Sequence, residues 1–186
     1  MTEPIKLHIG GETPKADWKI LNIQPGPSVD FVGNCLDLSQ FADRSVSEIY
    51  LSHVLEHLDY AKEASVALTG FKRILVPDGR LMIGVPDLEV LSHLMIAPFF
   101  SADTKFFVMR MIYGGQTNPY DYHKAGYTFE FLQAFLQQAG FDRIQRLPTF
   151  GLFQDTTEKK FNGVPISLNV EAFKPADLAA PPMPTA

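Results

Sequence analysis

Strand and helix patterns alternate through the middle of this 186-residue chain, and this alternation restricts its fold more than any other feature. Residues 47–52, with Ile49, Tyr50 and Leu51 at their centre, are typical of a buried strand, and residues 60–75 place apolar side chains on one face of a helix. Residues 81–85 form a second apolar run. Strands that alternate with helices predict an α/β fold, with a mostly parallel sheet and helices on both faces.

Weaker patterns on either side extend this arrangement. We predict a helix after Asp87 and another over residues 129–139, because Asp87 and Thr128 can each cap a helix. The last two strands have no helix between them, so one of them should run antiparallel. The further strands are expected at residues 5–9, 18–23, 29–32, 143–147 and 164–172.

Two segments lack these patterns. Residues 98–126 show no clear period, and we expect them to form an irregular lid. Residues 175–186 are rich in proline and alanine, and we expect a flexible tail there. Residues 1–174 then remain as one domain, which is an ordinary size for a single core.

Composition excludes several classes of protein. The formal net charge is −5 with no basic run, which argues against nucleic acid as a partner. A single cysteine excludes an internal disulfide, and no stretch approaches the ~20 apolar residues of a membrane span. The first residues lack the basic and apolar pattern of a signal peptide, so we expect a cytoplasmic protein with no membrane partner.

Two stretches carry a resemblance to a known family. Residues 49–58 read IYLSHVLEHL, and residues 73–81, after the predicted helix, read RILVPDGRL. Together they resemble the class I S-adenosylmethionine-dependent methyltransferases, in particular the small, methyltransferase type 11-like group. Residues 114–116, 121–124 and 165–170 are similar to the same group. The resemblance covers about residues 5–174 and implies a Rossmann-like fold, with S-adenosylmethionine as cofactor.

The resemblance also assigns residues to the cofactor. The glycine-rich first loop, which approaches the methionine part, corresponds to Gly10 and Gly11, and the acid that holds the ribose corresponds to Gln24. The acid and apolar pair at the adenine corresponds to Asp37 and Leu38, and Ser52 and His53 correspond to the residues that line the methyl-donor pocket. The implied activity is methyl transfer to a small-molecule or sugar acceptor.

The chain departs from the family pattern in the same region. The usual G-x-G becomes Gly10-Gly11-Glu12, in which the Glu12 carboxylate could hold the cofactor's ammonium group. Gln24 can offer one neutral hydrogen bond where a carboxylate would offer two stronger ones. Fewer than two helical turns separate Gly11 from the second strand, so the first helix should be short or missing. These departures favour an alternative: a methyltransferase-like binding or regulatory module that has lost tight cofactor binding.

A third reading comes from His53, Glu56 and His57, which have the H-x-x-E-H spacing of inverted zinc peptidases. On a helix the two histidines would share one face and could bind zinc. The segment directly follows a strand and the sequence offers no evident third ligand, so we expect no metal. A zinc hydrolase is therefore the remote alternative, and Glu56 and His57 can equally close the turn after the strand.

Candidate catalytic residues are His57 and His123. His123 lies in the predicted lid, and a histidine there could take the proton from an acceptor hydroxyl, contact the acceptor, or only fix the lid. Methyl transfer needs mainly alignment, because the sulfonium is already an excellent leaving group. The phenylalanines between Phe99 and Phe107 are expected in the core or at the interface of a homodimer.

Overall fold

The computed structural model describes residues 3–177, and a seven-stranded sheet forms its centre. The strand order is β3-β2-β1-β4-β5-β9-β6, and β9 runs antiparallel to both of its neighbours while the other pairs are parallel. The predicted α/β class and the single antiparallel strand near the end of the chain are therefore confirmed. These strands are β1 (Ile5–Ile9), β2 (Trp18–Asn22), β3 (Phe31–Val32), β4 (Val46–Ser52), β5 (Leu75–Pro86), β6 (Asp142–Leu147) and β9 (Ser167–Phe173).

Four α-helices, two 3₁₀ turns (Leu55–His57 and Thr156–Glu158) and a hairpin complete the described part of the chain. Asp87, Ser101 and Thr128 cap three of the helices, each with a side-chain oxygen that accepts a backbone N–H of the first turn. The helices are α1 (Glu63–Ile74), α2 (Leu88–Ile96), α3 (Ala102–Tyr113) and α4 (Phe129–Gln138), and the hairpin is β7 (Lys160–Phe161) with β8 (Val164–Pro165). At most 12 residues long, none of these helices has the length and apolar character needed to cross a membrane.

Helices α1 and α4 pack on one face of the sheet and form the main core with it. Alternate residues of the strands point to this face, as Ile49 and Leu51 of β4 do. Leu68 and Phe71 of α1 and Leu132 of α4 are fully buried against them. This layer follows directly from the apolar periods of the sequence.

The opposite face of the sheet is packed differently. Trp18, Tyr50 and Met82 point to it and form an aromatic cluster with Phe153, which belongs to the loop after β6. The Tyr50 hydroxyl donates to Asp155 of the same loop at 2.8 Å. No helix of the described residues contributes to this cluster, and the loop after β6 covers this part of the sheet instead.

The connection between β1 and β2 contains no helix, as predicted from its length. Gly10 turns the chain with φ +75°, and Asp17 enters β2 with φ +67°. Because so little chain lies between them, the carboxyl end of β1 stays open on this side.

The prediction of an irregular segment over residues 98–126 is wrong for its first half, which forms α3. Ser101 caps this helix and Gly114, at φ +84°, ends it. Val108 is its only fully buried residue, whereas Phe106 and Phe107 are more than half exposed. Apolar residues therefore occupy both faces of α3, which hides the helical period in the sequence.

Three other boundaries also differ from expectation. The predicted turn at residues 77–79 lies inside β5, where a bulge opposite β4 absorbs it. The predicted strand 164–172 divides into β8 and β9. Most of the predicted tail lies outside the described residues, and at its start Asp177 accepts both guanidinium hydrogen bonds of Arg44.

Candidate active site

A cavity of about 590 Å³ lies at the carboxyl ends of the parallel strands β1 to β4. This is the edge at which open α/β sheets bind ligands. Each of these strands sends its following loop to the wall, and residues 118–124 supply the remaining side. Among the lining residues are Gly10, Glu12, Asn22, Gln24, Gly33, Asn34, Cys35, Leu36, His53, Val54, His57, Asn118, Tyr120, Asp121, Tyr122 and Lys124.

Gly10 and Gly11 form the first wall, and each is required for a different reason. Gly10 has φ +75°, and a Cβ placed there would lie 2.5 Å from Val54. A Cβ at Gly11 would lie 2.5 Å from Nδ1 of His8, although Gly11 itself does not line the cavity. Because neither glycine has a side chain, the loop can run close to the residue that follows β4, and no side chain from these two positions enters the cavity.

Glu12 and Gln24, both exposed, line the cavity from the loops after β1 and β2. Asn22, at the end of β2, joins these two loops: its Nδ2 donates to the Gly11 carbonyl at 3.0 Å, and its Oδ1 accepts from the Gln24 backbone N–H at 3.0 Å. The carboxylate of Glu12 and the amide of Gln24 are thus held at one side of the same cavity.

The loop after β3 reaches the cavity earlier in the chain than the sequence indicated. Residues 33–36 line it, with Cys35 buried and Leu36 half-buried. Asp37 is exposed and accepts the backbone N–H of Ser39, while the buried Leu38 side chain belongs to the main core. The structure does not bring Asp37 and Leu38 to the wall, because β3 ends at Val32 and leaves four residues before them.

His53 stands at the sharpest turn of the site, immediately after β4. Its φ of +54° is uncommon for a residue with a side chain. Its backbone N–H donates to the Gly84 carbonyl of the neighbouring strand β5 at 2.8 Å. This turn directs the imidazole into the site, whereas Ser52 remains half-buried within β4 and does not line the cavity.

Glu56 is the most deeply buried charged residue of the site, with only 1% of its surface exposed. Neither carboxylate oxygen has a hydrogen-bond partner. Nδ1 of His53 lies 3.2 Å from Oε1, and Nε2 of His123 lies 3.9 Å from the same oxygen. Burial raises the pKa of Glu56, but His53 above all, with His57 and His123, holds the pKa below its ordinary value.

His57 and His123 face each other beside Glu56, with ring centroids 4.9 Å apart. Nδ1 of His57 contacts the Tyr122 carbonyl at 3.1 Å, and Nδ1 of His123 contacts the Ile112 carbonyl at 3.2 Å. A carbonyl only accepts, so each Nδ1 donates and each Nε2 keeps its lone pair. Burial lowers the pKa of His123, and the charge of Glu56 opposes this shift.

The loop of residues 114–124, called the lid below, covers the cavity and is hydrogen-bonded to Glu56. The backbone N–H groups of Lys124 and Ala125 both donate to the Glu56 carbonyl, at 2.8 and 3.2 Å. Asp121 shapes the loop by accepting from Thr117 Oγ1 at 2.7 Å, and this bond lowers the pKa of Asp121. Asp121 lies two residues from His123 in the sequence, but the carboxylate beside His123 in the structure is Glu56.

A second, smaller cavity of about 170 Å³ adjoins the first. His53 lines both cavities, whereas His123 and Arg110 line the smaller one. The smaller cavity is otherwise formed by the ends of β5 and β8–β9 and by α2 and α3, through residues such as Pro86, Leu91, Met111 and Ile166.

The helical arrangement that the zinc-hydrolase alternative requires is not formed. Residues Leu55–His57 make a single 3₁₀ turn, and His53 precedes it with a left-handed backbone. His53 and His57 therefore do not share the face of an α-helix. The sequence did not reveal that His123 completes a cluster with Glu56 and His57, because the lid crosses over from another part of the chain.

Comparison with known proteins supports the fold. Residues 15–83 match the model of a methyltransferase domain family. A search of curated proteins finds no match. Among solved structures, an S-adenosylmethionine-dependent methyltransferase from Archaeoglobus fulgidus is similar at 16% identity and a TM-score of 0.61, with 92% of this chain and 86% of that chain covered.

Two further structures show the range of these likenesses. A 1,6-didemethyltoxoflavin-N1-methyltransferase from Burkholderia thailandensis, solved with 1,6-didemethyltoxoflavin and S-adenosylhomocysteine, is 16% identical, with a TM-score of 0.56 and coverage of 93% and 72%. The CurJ carbon methyltransferase is 14% identical, with a TM-score of 0.53, and this chain spans 49% of its length. At these identities the likeness establishes the shared fold.

Proposed function

We propose that the chain is a class I S-adenosylmethionine-dependent methyltransferase and that it methylates a small-molecule acceptor; its fold and its match to the methyltransferase domain family over residues 15–83 support this. A sugar is included in that class, with a hydroxyl or amine as the methylated group. The observation that carries the proposal is the 590 Å³ cavity at the carboxyl ends of β1 to β4.

The chemistry of this cavity fits the cofactor. Its volume lies within the range of about 300–1,000 Å³ typical of small-molecule sites. Leu21, Leu36 and Val54 supply an apolar wall suited to an adenine ring. Glu12 and Gln24 supply a carboxylate for an ammonium group and an amide for a ribose hydroxyl.

We assign the remaining cofactor contacts by position in the chain. The backbone of Gly10 would approach the methionine part, and His53 would line the methyl-donor end together with the neighbouring Ser52. Cys35 and Leu36 lie in the cavity wall and are better placed for adenine than Asp37 and Leu38, which stay predictions. When bound, S-adenosylmethionine supplies an activated methyl group on a good leaving group.

We place the acceptor in the smaller cavity. His53 lines both cavities, so a group bound in one is close to a group bound in the other. His123 and Arg110 there offer a ring nitrogen and a cation for a polar acceptor. His57 and His123 would contact the acceptor hydroxyl or take its proton, and exclusion of water by the lid would favour alignment.

The alternative function is a binding or regulatory module that no longer binds the cofactor tightly. The missing helix between β1 and β2 favours it, because a helix N-terminus would add partial positive charge near bound anionic groups. The uncharged Gln24 favours it as well. As to partners, we expect neither nucleic acid nor membrane.

Calorimetric titration of the full chain with S-adenosylhomocysteine separates the two functions. The enzyme proposal predicts one ligand per chain, with lower affinity in Glu12→Gln and unchanged affinity in the control Glu158→Gln, which lies in the loop on the other face of the sheet. No binding at millimolar ligand would overturn it and favour the module.

A further inference from the structure

Glu56, His57 and His123 each present a metal-ligating atom, and these atoms lie within 4.8 Å of one another. Glu56 and His57 come from the 3₁₀ turn after β4, and His123 comes from the lid. The two backbone hydrogen bonds from the lid to the Glu56 carbonyl hold these segments together. The cluster therefore takes Glu56 and His57 from the H-x-x-E-H stretch, but its third member, His123, is supplied by the fold.

The Glu56 carboxylate has histidine neighbours but no hydrogen bond of good geometry from any described residue. Both oxygens are inaccessible to solvent and accept no hydrogen bond. An unpaired buried carboxylate is costly, so buried charges are found paired or bound to metals. Three imidazoles surround this carboxylate, and no lysine or arginine of the described residues forms an ion pair with it.

The two lid-side imidazoles have the hydrogen bonding of metal ligands. His57 and His123 each donate Nδ1–H to a backbone carbonyl, which fixes the ring and leaves Nε2 with a free lone pair. Metal-binding histidines typically make this second hydrogen bond to a carbonyl or carboxylate. Nε2 of His123 already lies 3.9 Å from Oε1 of Glu56.

His53 completes the surroundings of the carboxylate. Ser167 Oγ donates to the Thr156 carbonyl at 2.8 Å, so its oxygen accepts from Nε2–H of His53 at 2.9 Å. Nδ1 of His53 lies 3.2 Å from Oε1 of Glu56, and a ring that carries a proton on both nitrogens donates to Ser167 and Glu56 together. His53 is a positioning residue for the carboxylate, in the manner of the outer groups that orient metal ligands.

We propose that Glu56, His57 and His123 bind one divalent transition-metal ion, and that zinc is the best-matched ion. Two imidazole nitrogens and one carboxylate are a known ligand set for zinc with a fourth position open. Tetrahedral zinc with bonds near 2.1 Å places its ligand atoms about 3.4 Å apart, so the three groups must move together by roughly 1 Å.

The open position has a defined environment. His57 lines the larger cavity and His123 the smaller, so the ion would lie in the wall between them. An oxygen of a hydroxyl or carboxylate acceptor is the ligand that this position would take. That last step rests on the proposed function, whereas binding of the metal itself does not. With the ion bound, Nε2 of His123 is a ligand and does not accept the acceptor's proton.

The test uses the metal alone on the full chain. Chelator-treated protein is titrated with ZnCl₂ by calorimetry and with CoCl₂ by visible absorption, which reports coordination geometry without any enzymatic assay. The variants are His123→Ala, His57→Ala and Glu56→Gln. The control is His93→Ala, because His93 is exposed on α2 and outside the cluster. Circular dichroism shows whether each variant is folded.

We expect one ion per chain in the native protein and in His93→Ala. Affinity should fall at least tenfold in His123→Ala and His57→Ala, which change partly exposed positions and should remain folded. Absence of stoichiometric zinc binding in the native chain would overturn the proposal, as would unchanged affinity in both histidine variants. Neither result would alter S-adenosylhomocysteine binding, so failure here is distinguishable from failure of the proposed function.

Discussion

His123 places its Nε2 atom 3.9 Å from Oε1 of Glu56, although the two residues come from opposite halves of the chain. The contact joins the turn after β4 to the lid over the cavity. Glu56 is the most deeply buried carboxylate of the site. Its neighbours are the imidazoles of His53, His57 and His123. The chemistry that we assign to the acceptor side depends on this relationship.

Replacing His123 should separate catalysis from cofactor binding. His123 lines the smaller cavity and not the larger one, so His123→Ala should leave the affinity for S-adenosylhomocysteine within about twofold of native. Methyl transfer to an identified acceptor should fall by 10²-fold or more, because the acceptor loses the group that takes its proton or, with the ion bound, a ligand of the ion that holds it. Parallel calorimetry and methyl-transfer assays check this, and unchanged turnover would remove His123 from the acceptor site.

Restoring an acid at position 24 should strengthen cofactor binding. A carboxylate makes charge-assisted hydrogen bonds to hydroxyls that are roughly twice as strong as those of an amide. Gln24→Asp should therefore raise the affinity for S-adenosylhomocysteine by about 1 kcal/mol, or roughly fivefold. Gln154→Asp, on an exposed loop outside both cavities, is the control. Equal affinities in all three proteins would show that Gln24 does not contact the ribose.

Gly10 and Gly151 provide a matched pair of glycine substitutions. Both have positive φ, but a Cβ at Gly10 would meet Val54 at 2.5 Å, whereas a Cβ at Gly151 would meet nothing within 4 Å. Gly151→Ala should cost only the backbone term of about 1 kcal/mol, and Gly10→Ala about 2–4 kcal/mol together with weaker cofactor binding. Chemical denaturation measures both, and equal losses would contradict the close approach to Val54.

His8 should make the protein sensitive to mild acid. It is buried between Tyr50 and Phe153, and burial lowers its pKa to about 4, against a weaker opposing effect of Asp155. The unfolded chain takes up the proton near pH 6.5 and the folded chain near 4, so stability is full above 6.5 and falls below it. From pH 7 to pH 5 the loss should be about 2 kcal/mol.

A titration of unfolding free energy against pH tests this assignment. His8→Phe keeps an aromatic ring in the cluster but cannot titrate, so its stability should fall less over the same range. His93→Phe changes an exposed histidine and should keep the native pH dependence. If His8→Phe and the native protein lose equal stability, His8 is not the acid-sensitive group.

The homodimer expected from the phenylalanine-rich segment remains a prediction, and the structure locates where to test it. Phe99 is 79% exposed, and Phe106 and Phe107 are also more than half exposed. Large exposed apolar side chains are found at interaction surfaces. Sedimentation velocity should show a dimer for the native chain and a monomer for the double variant Phe106→Ser, Phe107→Ser. A monomeric native chain would contradict the prediction.

Local patterns were sufficient to predict most of the sheet and both core helices. The strands have buried apolar runs, and α1 and α4 have clear apolar stripes with capping signals. Helix α3 was not predicted, because its exposed phenylalanines interrupt the apolar stripe that marks a helix in a sequence. The packing of the loop around Phe153 on the sheet was not predicted, because its partners, Trp18 and Tyr50, lie far away in the sequence.

The candidate site was predictable only in part for the same reason. Gly10, Glu12, Gln24 and His53 follow strands directly, and the sequence places them at one edge of a parallel sheet. Asp37 was misplaced because four residues separate it from the end of β3 at Val32, and those residues, 33–36, line the cavity instead. The neighbours of Glu56 depend on where the lid folds back, and a single sequence does not show that.

A crystal structure of the full chain with S-adenosylhomocysteine tests the central claim most directly. The account predicts that the ligand lies in the 590 Å³ cavity, with its methionine part at Gly10, its ribose beside Gln24 and its adenine against Leu36. An unliganded cavity at saturating S-adenosylhomocysteine, or a ligand bound elsewhere on the chain, would contradict it.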